Sequence, residues 1–333
     1  MTETTGALPP VTVGQRARIL AAPRTAAAHA ALLAEIPAMA MLEVGGDPGA
    51  PRLSAGFAAA AWNVERCLFP EASAAHLGPF APEVILLSEM DVGMSRTGQR
   101  NTVAAMAAEL GMTYAYGVEF HELGLGGATE RGFCTDDFNR FGWHGNAVLS
   151  AAPFEDLALM RLDRNGRWFA VGPDAAGDPD QPRIGGRMAV AAITPTANGP
   201  ICVVSTHLES NADAAHRHVQ FAALLDMIDD FAPGAPVVIG GDLNTGNHAP
   251  PDFDWRAETL FDLARGRGYS WDLTPPGVTT RESLISPHPK RQMKLDWFCV
   301  RGVGGRAGPL LASLDPAGTP LSDHECVICE VTV

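Results

Sequence analysis

Ten short apolar runs, each bounded by turn residues or a polar cluster, constrain this chain more than any other feature of its 333 residues. They are FAAAAWNV, EVILLSEM, YAYGVEF, GNAVLSA, LALMRL, GRMAVAAIT, PICVVSTHL, PVVIGGDLN, LDWFCVRG and ECVICEVTV. Each has the length of a β-strand, and several are apolar at consecutive positions, as a strand covered on both faces requires. Helical periodicity appears at Gly98–Leu110 and at Asp213–Phe231, the second with Asn211 or Asp213 placed to cap it. Many strands with few helices predict two packed sheets flanked by helices. Ahead of the strands, residues 1–23 read as a polar tail and 24–41 as one Ala- and Leu-rich helix with a late Pro37. The expected organisation is therefore a tail and helix over 1–50, packed on a main domain over 51–333.

Composition excludes several classes. With 46% hydrophobic and 19% charged residues, the chain is too apolar for a disordered protein. Its net charge is 24 − 38 = −14, and Lys290 and Lys294 are its only lysines, against the basic footprint of a protein that coats long nucleic acids. No run approaches the roughly 18 apolar residues of a membrane span, and the N-terminus lacks a secretory pattern. The expectation is a soluble protein of a reducing compartment, the cytoplasm. The six cysteines have no framework spacing. Cys326 and Cys329 lie three apart in a strand-like run, so they face opposite ways and make a poor metal clip.

Polar residues concentrate at the strand ends. Trp62-Asn63-Val64-Glu65, Ser88-Glu89-Met90-Asp91, Thr206-His207-Leu208-Glu209, Gly240-Gly241-Asp242-Leu243-Asn244 and Ser322-Asp323-His324 each adjoin an apolar run. A sandwich gathering them at one mouth would offer carboxylate oxygens suited to Mg²⁺ or Mn²⁺. A metal, a carboxylate that positions water and an imidazole beside the phosphoryl oxygens together suit phosphate-ester hydrolysis.

The ordered set W-N-x-E, x-E-x, G-N-A-x-L-S, T-H-L, G-D-x-N, L-D-W and S-D-H resembles the endonuclease/exonuclease/phosphatase superfamily from about Phe57 to Val333. The resemblance implies an α/β (α+β) fold, a four-layered αββα sandwich of two mixed β-sheets flanked by helices. It implies Asn63 beside the substrate phosphate, Glu89 as the principal metal ligand, and Glu65 and Asp323 as further acidic metal contacts. Asp242 matches the general base, and Asn244 a holder of phosphate or water. Asp296 matches the aspartate that orients the phosphate-contacting His324, and His207 a second histidine. Asn146 would line the pocket, and Arg187 would bind phosphate. Glu119 is a candidate to orient His207. Arg96 and Arg100 read as a solvated helix face, and His144, His216 and His218 as structural or rim residues. Trp143, Trp255 and Trp271 stack a base or plug local clusters.

The expected activity is metal-dependent hydrolysis of a phosphodiester or phosphomonoester by in-line attack of water. A small or medium phosphate ester is favoured over DNA or RNA because of the charge. A non-catalytic phosphate-binding module would ordinarily have lost the Asp-x-Asn or the final Asp-His, and both are present. No G-x-S-x-G elbow supports a serine hydrolase.

Overall fold

Two mixed sheets stack face to face in a computed structural model that describes residues 2–172, 175, 181–289 and 291–333. In chain order the strands are β1 (Glu3–Thr5), β2 (Met41–Gly46), β3 (Gly56–Arg66), β4 (Val84–Val92), β5 (Thr113–Glu122), β6 (Trp143–Ser150) and β7 (Asp156–Arg161). They continue as β8 (Arg183–Gly185), β9 (Met188–Thr196), β10 (Gly199–His207), β11 (Val237–Asp242), β12 (Asp296–Arg301), β13 (Gly304–Leu311) and β14 (Cys326–Thr332). The first sheet has the order β1-β2-β5-β6-β4-β3-β14-β13, with β8 also pairing with β5; the second is β12-β11-β10-β9-β7. All ten runs singled out in the sequence are strands.

Period-two alternation divides each strand between two layers. Ala59, Ala61, Val84, Leu86 and Val148 from the first sheet meet Val190, Ala192, Val203, Val238 and Phe298 from the second. The other face of the first sheet, with Trp62, Ile85 and Leu87, lies under α1 (Val13–Ala21), α2 (Ala26–Ala34), α3 (Pro70–Leu77) and α4 (Thr102–Leu110). A short α5 (Ala128–Arg131) follows β5. The outer face of the second sheet, with Cys202, Val204 and Ile239, is covered by α6 (Ala214–Phe231) and α7 (Leu260–Gly266). The result is the expected αββα sandwich. Cys326 falls in the helix-covered layer and Cys329 in the intersheet layer, so the C-x-x-C pair is split across the sheet.

The N-terminal expectations need correcting. Within 1–23, β1 pairs in parallel with β2, and α1 starts at a capping box made by Thr12 and Gln15. The single helix expected over 24–41 stops at Ala34; Ile36, ahead of Pro37, is extended at φ −110° and ψ 97°. The proline ring disfavours the helical conformation in the preceding residue. The chain then passes through a 3₁₀ turn at Pro37–Ala40 directly into β2. Of the two cap candidates for α6, Asp213 performs the role, accepting from the His216 N–H at 2.9 Å. No helix among the described residues is long and apolar enough to cross a membrane.

Candidate active site

The alternation that builds the intersheet layer also builds the site. Continuing the inward-facing positions to the strand ends leads from Ala61 to Asn63, from Val148 to Asn146, from Val203 to His207, from Val238 to Asp242 and from Phe298 to Asp296. The apolar layer thus ends in a polar one. Register completes the arrangement, because His207 pairs with Asp242 across β10–β11, and Asp242 with Asp296 across β11–β12. The two glycines before Asp242 have separate reasons. A Cβ on Gly240 would lie 2.7 Å from Leu86 Cδ1, and one on Gly241, at φ +150°, would lie 1.9 Å from the Thr206 carbonyl oxygen.

One oxygen, Asp242 Oδ2, is the focus. Asn63 Nδ2 donates to it at 3.1 Å, and the Nε2 atoms of His207 and His324 both lie at 3.6 Å. Asp242 Oδ1 accepts the Asn244 N–H at 2.8 Å, in a turn that holds Asn244 at φ +50°. Asn244 also donates to the Leu208 carbonyl at 3.0 Å and accepts from Asn247 at 2.8 Å. Behind His324, Nδ1 bonds Asp296 Oδ2 at 2.8 Å. Trp62 Nε1 donates to the His324 carbonyl at 2.9 Å, and the Ser322 hydroxyl ties this loop to the Asn63 carbonyl at 2.6 Å. Burial alone would lower the His324 pKa, but Asp296 and Asp242 hold it well above the ordinary imidazole value. Burial pushes Asp296 up, and His324 opposes that shift.

The metal candidates lie on irregular backbone. Pairing of β3 with β4 shifts between Asn63 and Arg66, and pairing of β4 with β6 shifts between Leu87 and Met90. These irregularities carry Glu65, Arg66, Cys67 and Glu89, all at positive φ. Such bulges re-aim side chains at the cost of about 1–3 kcal/mol per strained residue. Glu89 accepts from Asn63 Nδ2 at 3.0 Å and is ion-paired with Arg66, which also reaches Glu130 at 2.9 Å. Glu65 accepts from the Ser283 hydroxyl at 2.7 Å, and burial and then the neighbouring Asp323 push its pKa to about 7. Repelling carboxylates of this kind are eased by a cation. Glu89, Glu65 and Asp323 are carboxylates, the donor type that suits Mg²⁺ or Mn²⁺. Among the described residues, the three ligand groups that come within 4.8 Å of one another are instead Asp242, Asp296 and His324.

Arg187 is in contact with His207. Its Nη1 donates to Glu119 at 2.8 Å and lies 2.9 Å from His207 Nδ1; Nη2 donates to Ser210 at 3.0 Å; Nε faces Glu209 at 3.4 Å. The guanidinium also stacks near Phe120 and Trp168, each at 5.6 Å. Glu119 meets His207 Nδ1 at 3.3 Å, as its candidacy required. Although burial would raise Glu119 and Glu209, His207 and Arg187 hold the first at about 2, and Arg187 the second at about 2. Asn146 donates to the Met188 carbonyl at 2.9 Å, and its buried Oδ1 has no partner among the described residues.

Several partners carried no sequence signal. Arg96, expected on a solvated helix face, is buried in a bidentate pair with Asp91 and contacts Glu122 and Glu130. His144 is buried on the same Asp91 at 2.9 Å. Arg100 is exposed and pairs with Glu71. His216 lies 3.5 Å from Asp163, and His218 lies 2.8 Å from the Thr259 hydroxyl. Trp255 and Trp271 pack with Phe261 and Trp297, and Trp143 is buried, so all three plug apolar clusters.

A model of the endonuclease/exonuclease/phosphatase family matches residues 60–324. No curated protein matches the sequence. Among solved structures, an endonuclease/exonuclease/phosphatase from Beutenbergia cavernae is similar at 16% identity and a TM-score of 0.57, over 84% of this chain and 72% of the other. The human Nocturnin catalytic domain with bound sulfate is similar at 16% identity and 0.56, over 87% and 97%. Humanised D. rerio TDP2 is similar at 15% identity and 0.50, over 84% and 100%. At such identities the structural likeness speaks for the fold.

Proposed function

Because the chain belongs to the endonuclease/exonuclease/phosphatase family, we propose that it is a divalent-metal-dependent phosphoesterase. It hydrolyses a phosphodiester or phosphomonoester bond in a small or medium substrate by in-line attack of water. The observation that supports this most is the convergence of Asn63, His207 and His324 on Asp242 Oδ2, with Asp296 behind His324.

In this reading Asp242 orients the water and takes its proton. Asn244 fixes the Asp242 carboxylate through its backbone N–H, and Asn63 bridges Asp242 to Glu89. His324, kept protonated by Asp296, donates to a phosphoryl oxygen or protonates the leaving oxygen. His207 assists from the other side, positioned by Glu119 and Arg187. The Arg187 donors on Glu119, Glu209 and Ser210 make its contribution electrostatic, through His207, and Asn146 lines the floor. Mg²⁺ or Mn²⁺ on Glu89, Glu65 and Asp323 would neutralise charge on the phosphoryl oxygens. We place the protein in the cytoplasm; the six unpaired cysteines, five of them buried, support a reducing compartment.

The test is hydrolysis of bis(4-nitrophenyl) phosphate and 4-nitrophenyl phosphate with Mg²⁺, Mn²⁺ or EDTA, by wild type and Asp242→Asn. Expected are metal-dependent release by wild type and a loss of at least about 10²–10³-fold in the variant, with unchanged circular dichroism. Normal turnover by folded Asp242→Asn would overturn the assignment. Release from the diester alone makes the enzyme a phosphodiesterase, and from the monoester alone a phosphatase.

A further inference from the structure

The stretch 281–294 carries four of the chain's 24 Lys and Arg, against one acid, Glu282. It is a basic island in a chain of net charge −14. Within it, Arg281, His288 and Arg291 line a cavity of about 490 Å³ that also takes in Asn247, Asp323 and His324. The cavity is of ligand size and opens directly onto the imidazole given the phosphate-contacting role.

Other arginines around the site are already committed to carboxylates: Arg66 to Glu89 and Glu130, Arg96 to Asp91, and Arg187 to Glu119 and Glu209. In the cavity, Arg281 is shared with Glu325 at 3.4 Å. Arg291 differs from these. Its guanidinium lies over the Phe253 ring at 3.2 Å, and it has no carboxylate partner among the described residues. The ring restrains the guanidinium plane while leaving its N–H donors available, which suits bidentate recognition of a phosphate. His288 stands on the same wall, exposed and without an acidic partner among the described residues. Arg291, without a counter-charge among the described residues and on the same cavity wall as His324, complements an anion distinct from the one being cleaved.

We propose that this cavity binds a second phosphate group of the substrate, so that the preferred substrates are phosphate esters carrying at least two phosphates. The proposal rests on the phosphoesterase reading and narrows its substrate class. Arg291 is the main recognition residue, with His288 and Arg281 beside it. Hydrolysis at the first phosphate leaves the second untouched as an anchor. The second phosphate could belong to a short nucleotide or to a phosphorylated sugar, and both present the same dianion to Arg291.

The experiment compares thymidine dinucleotide with and without a 5′-phosphate, and glucose 1,6-bisphosphate with glucose 1-phosphate. Bis(4-nitrophenyl) phosphate serves as the singly charged control. Wild type should favour the doubly phosphorylated member of at least one pair by about tenfold in kcat/KM, the size of one charge-assisted contact. Arg291→Ala should abolish that preference through KM while leaving the control within about twofold of wild type. A preference confined to the dinucleotide pair assigns the anchor to a nucleotide, and one confined to the glucose pair assigns it to a sugar. Calorimetry with inorganic pyrophosphate in EDTA gives a readout independent of turnover, and Arg291→Ala should weaken binding about tenfold. No preference in either pair, a preference that survives Arg291→Ala, or equal pyrophosphate affinities would each overturn the proposal. Failure of wild type on every ester, with pyrophosphate binding intact, would instead count against the phosphoesterase reading and leave the anion site standing.

Discussion

His324 sits between two carboxylates, 2.8 Å from Asp296 through Nδ1 and 3.6 Å from Asp242 through Nε2. Desolvation works against its charge, and the paired acids outweigh it, so the imidazole carries a proton well above its usual pH. The sign of the resulting pH dependence follows. A step that needs protonated His324 runs below the raised pKa and fails as pH climbs through it. In Asp296→Asn one of the two stabilising charges is gone, the pKa falls, and the alkaline limb of kcat/KM moves to lower pH. Loss of a buried neighbouring charge predicts a movement of at least about one pH unit. An NMR titration of the His324 imidazole in both proteins provides the check independent of turnover. An unmoved limb together with an unmoved titration would show that Asp296 does not hold the proton on His324. Local strain has a comparable logic at Glu65, Arg66 and Glu89. Three polar side chains at positive φ on adjoining strands would be costly anywhere, and here they adjoin the residues that converge on Asp242.

At the scale of elements, α6 shows how the wall of the site is secured. Arg217, fully buried, pairs with Glu258, and it donates to the carbonyls of Ala212 and Asn247 at 2.6 Å each. Glu258 in turn accepts the Gly246 N–H at 2.8 Å. The helix thereby grips the loop that follows Asn244. Arg217→Met would leave Glu258 buried without its counter-charge, and it should cost about 3–5 kcal/mol in urea unfolding. The double variant Arg217→Met/Glu258→Leu should recover part of that loss, because no charge is then left stranded. A single variant as stable as wild type would show that the pair contributes nothing net.

The same scale decides what the sequence discloses. Strands such as β4 and β10 were legible because both of their faces are covered, which leaves nearly continuous apolar runs. The converging residues Asn63, His207, Asp242, Asp296 and His324 were legible because each adjoins such a run. By contrast, β13 reads GGRAGPLL, whose glycines and proline signal turns, and only its pairing with β14 makes it a strand. The Arg66–Glu130 and Arg96–Glu122 contacts join residues 64 and 26 positions apart, and no local pattern announces which carboxylate an arginine will meet. For Arg96, the helix-surface reading fails because the residue precedes α4, in a 3₁₀ turn folded over Asp91.

Across the whole molecule, charge is distributed unevenly between interior and surface. Glu65, Asp91, Glu119, Glu122, Glu130, Glu209, Asp242 and Asp296 are all buried in the networks around the strand ends, where Arg96 and Arg187 are the buried arginines that answer them. The partly exposed Glu89 and Asp323 add to the same side, and the partly exposed Arg66 and Arg183 to the other, which leaves the acids in excess. The folded state therefore concentrates negative charge that the unfolded chain would disperse, and a divalent cation that binds only the folded state stabilises it by linkage. At a concentration of about 100 times Kd, Mn²⁺ would add about 2.7 kcal/mol. For a domain of this size that corresponds to a rise in Tm of about 5 °C. Thermal unfolding in Mn²⁺, in EDTA and in NaCl of matched ionic strength separates specific binding from screening, since screening alone is reproduced by NaCl. Glu89→Gln should abolish the Mn²⁺ increment. An increment that persists in Glu89→Gln would move the ion to another acidic group, with the Asp242–Asp296–His324 triangle the first to test. No increment at any Mn²⁺ concentration would mean that internal cations such as Arg66 already balance the mouth, and the metal would have to be removed from the proposed mechanism.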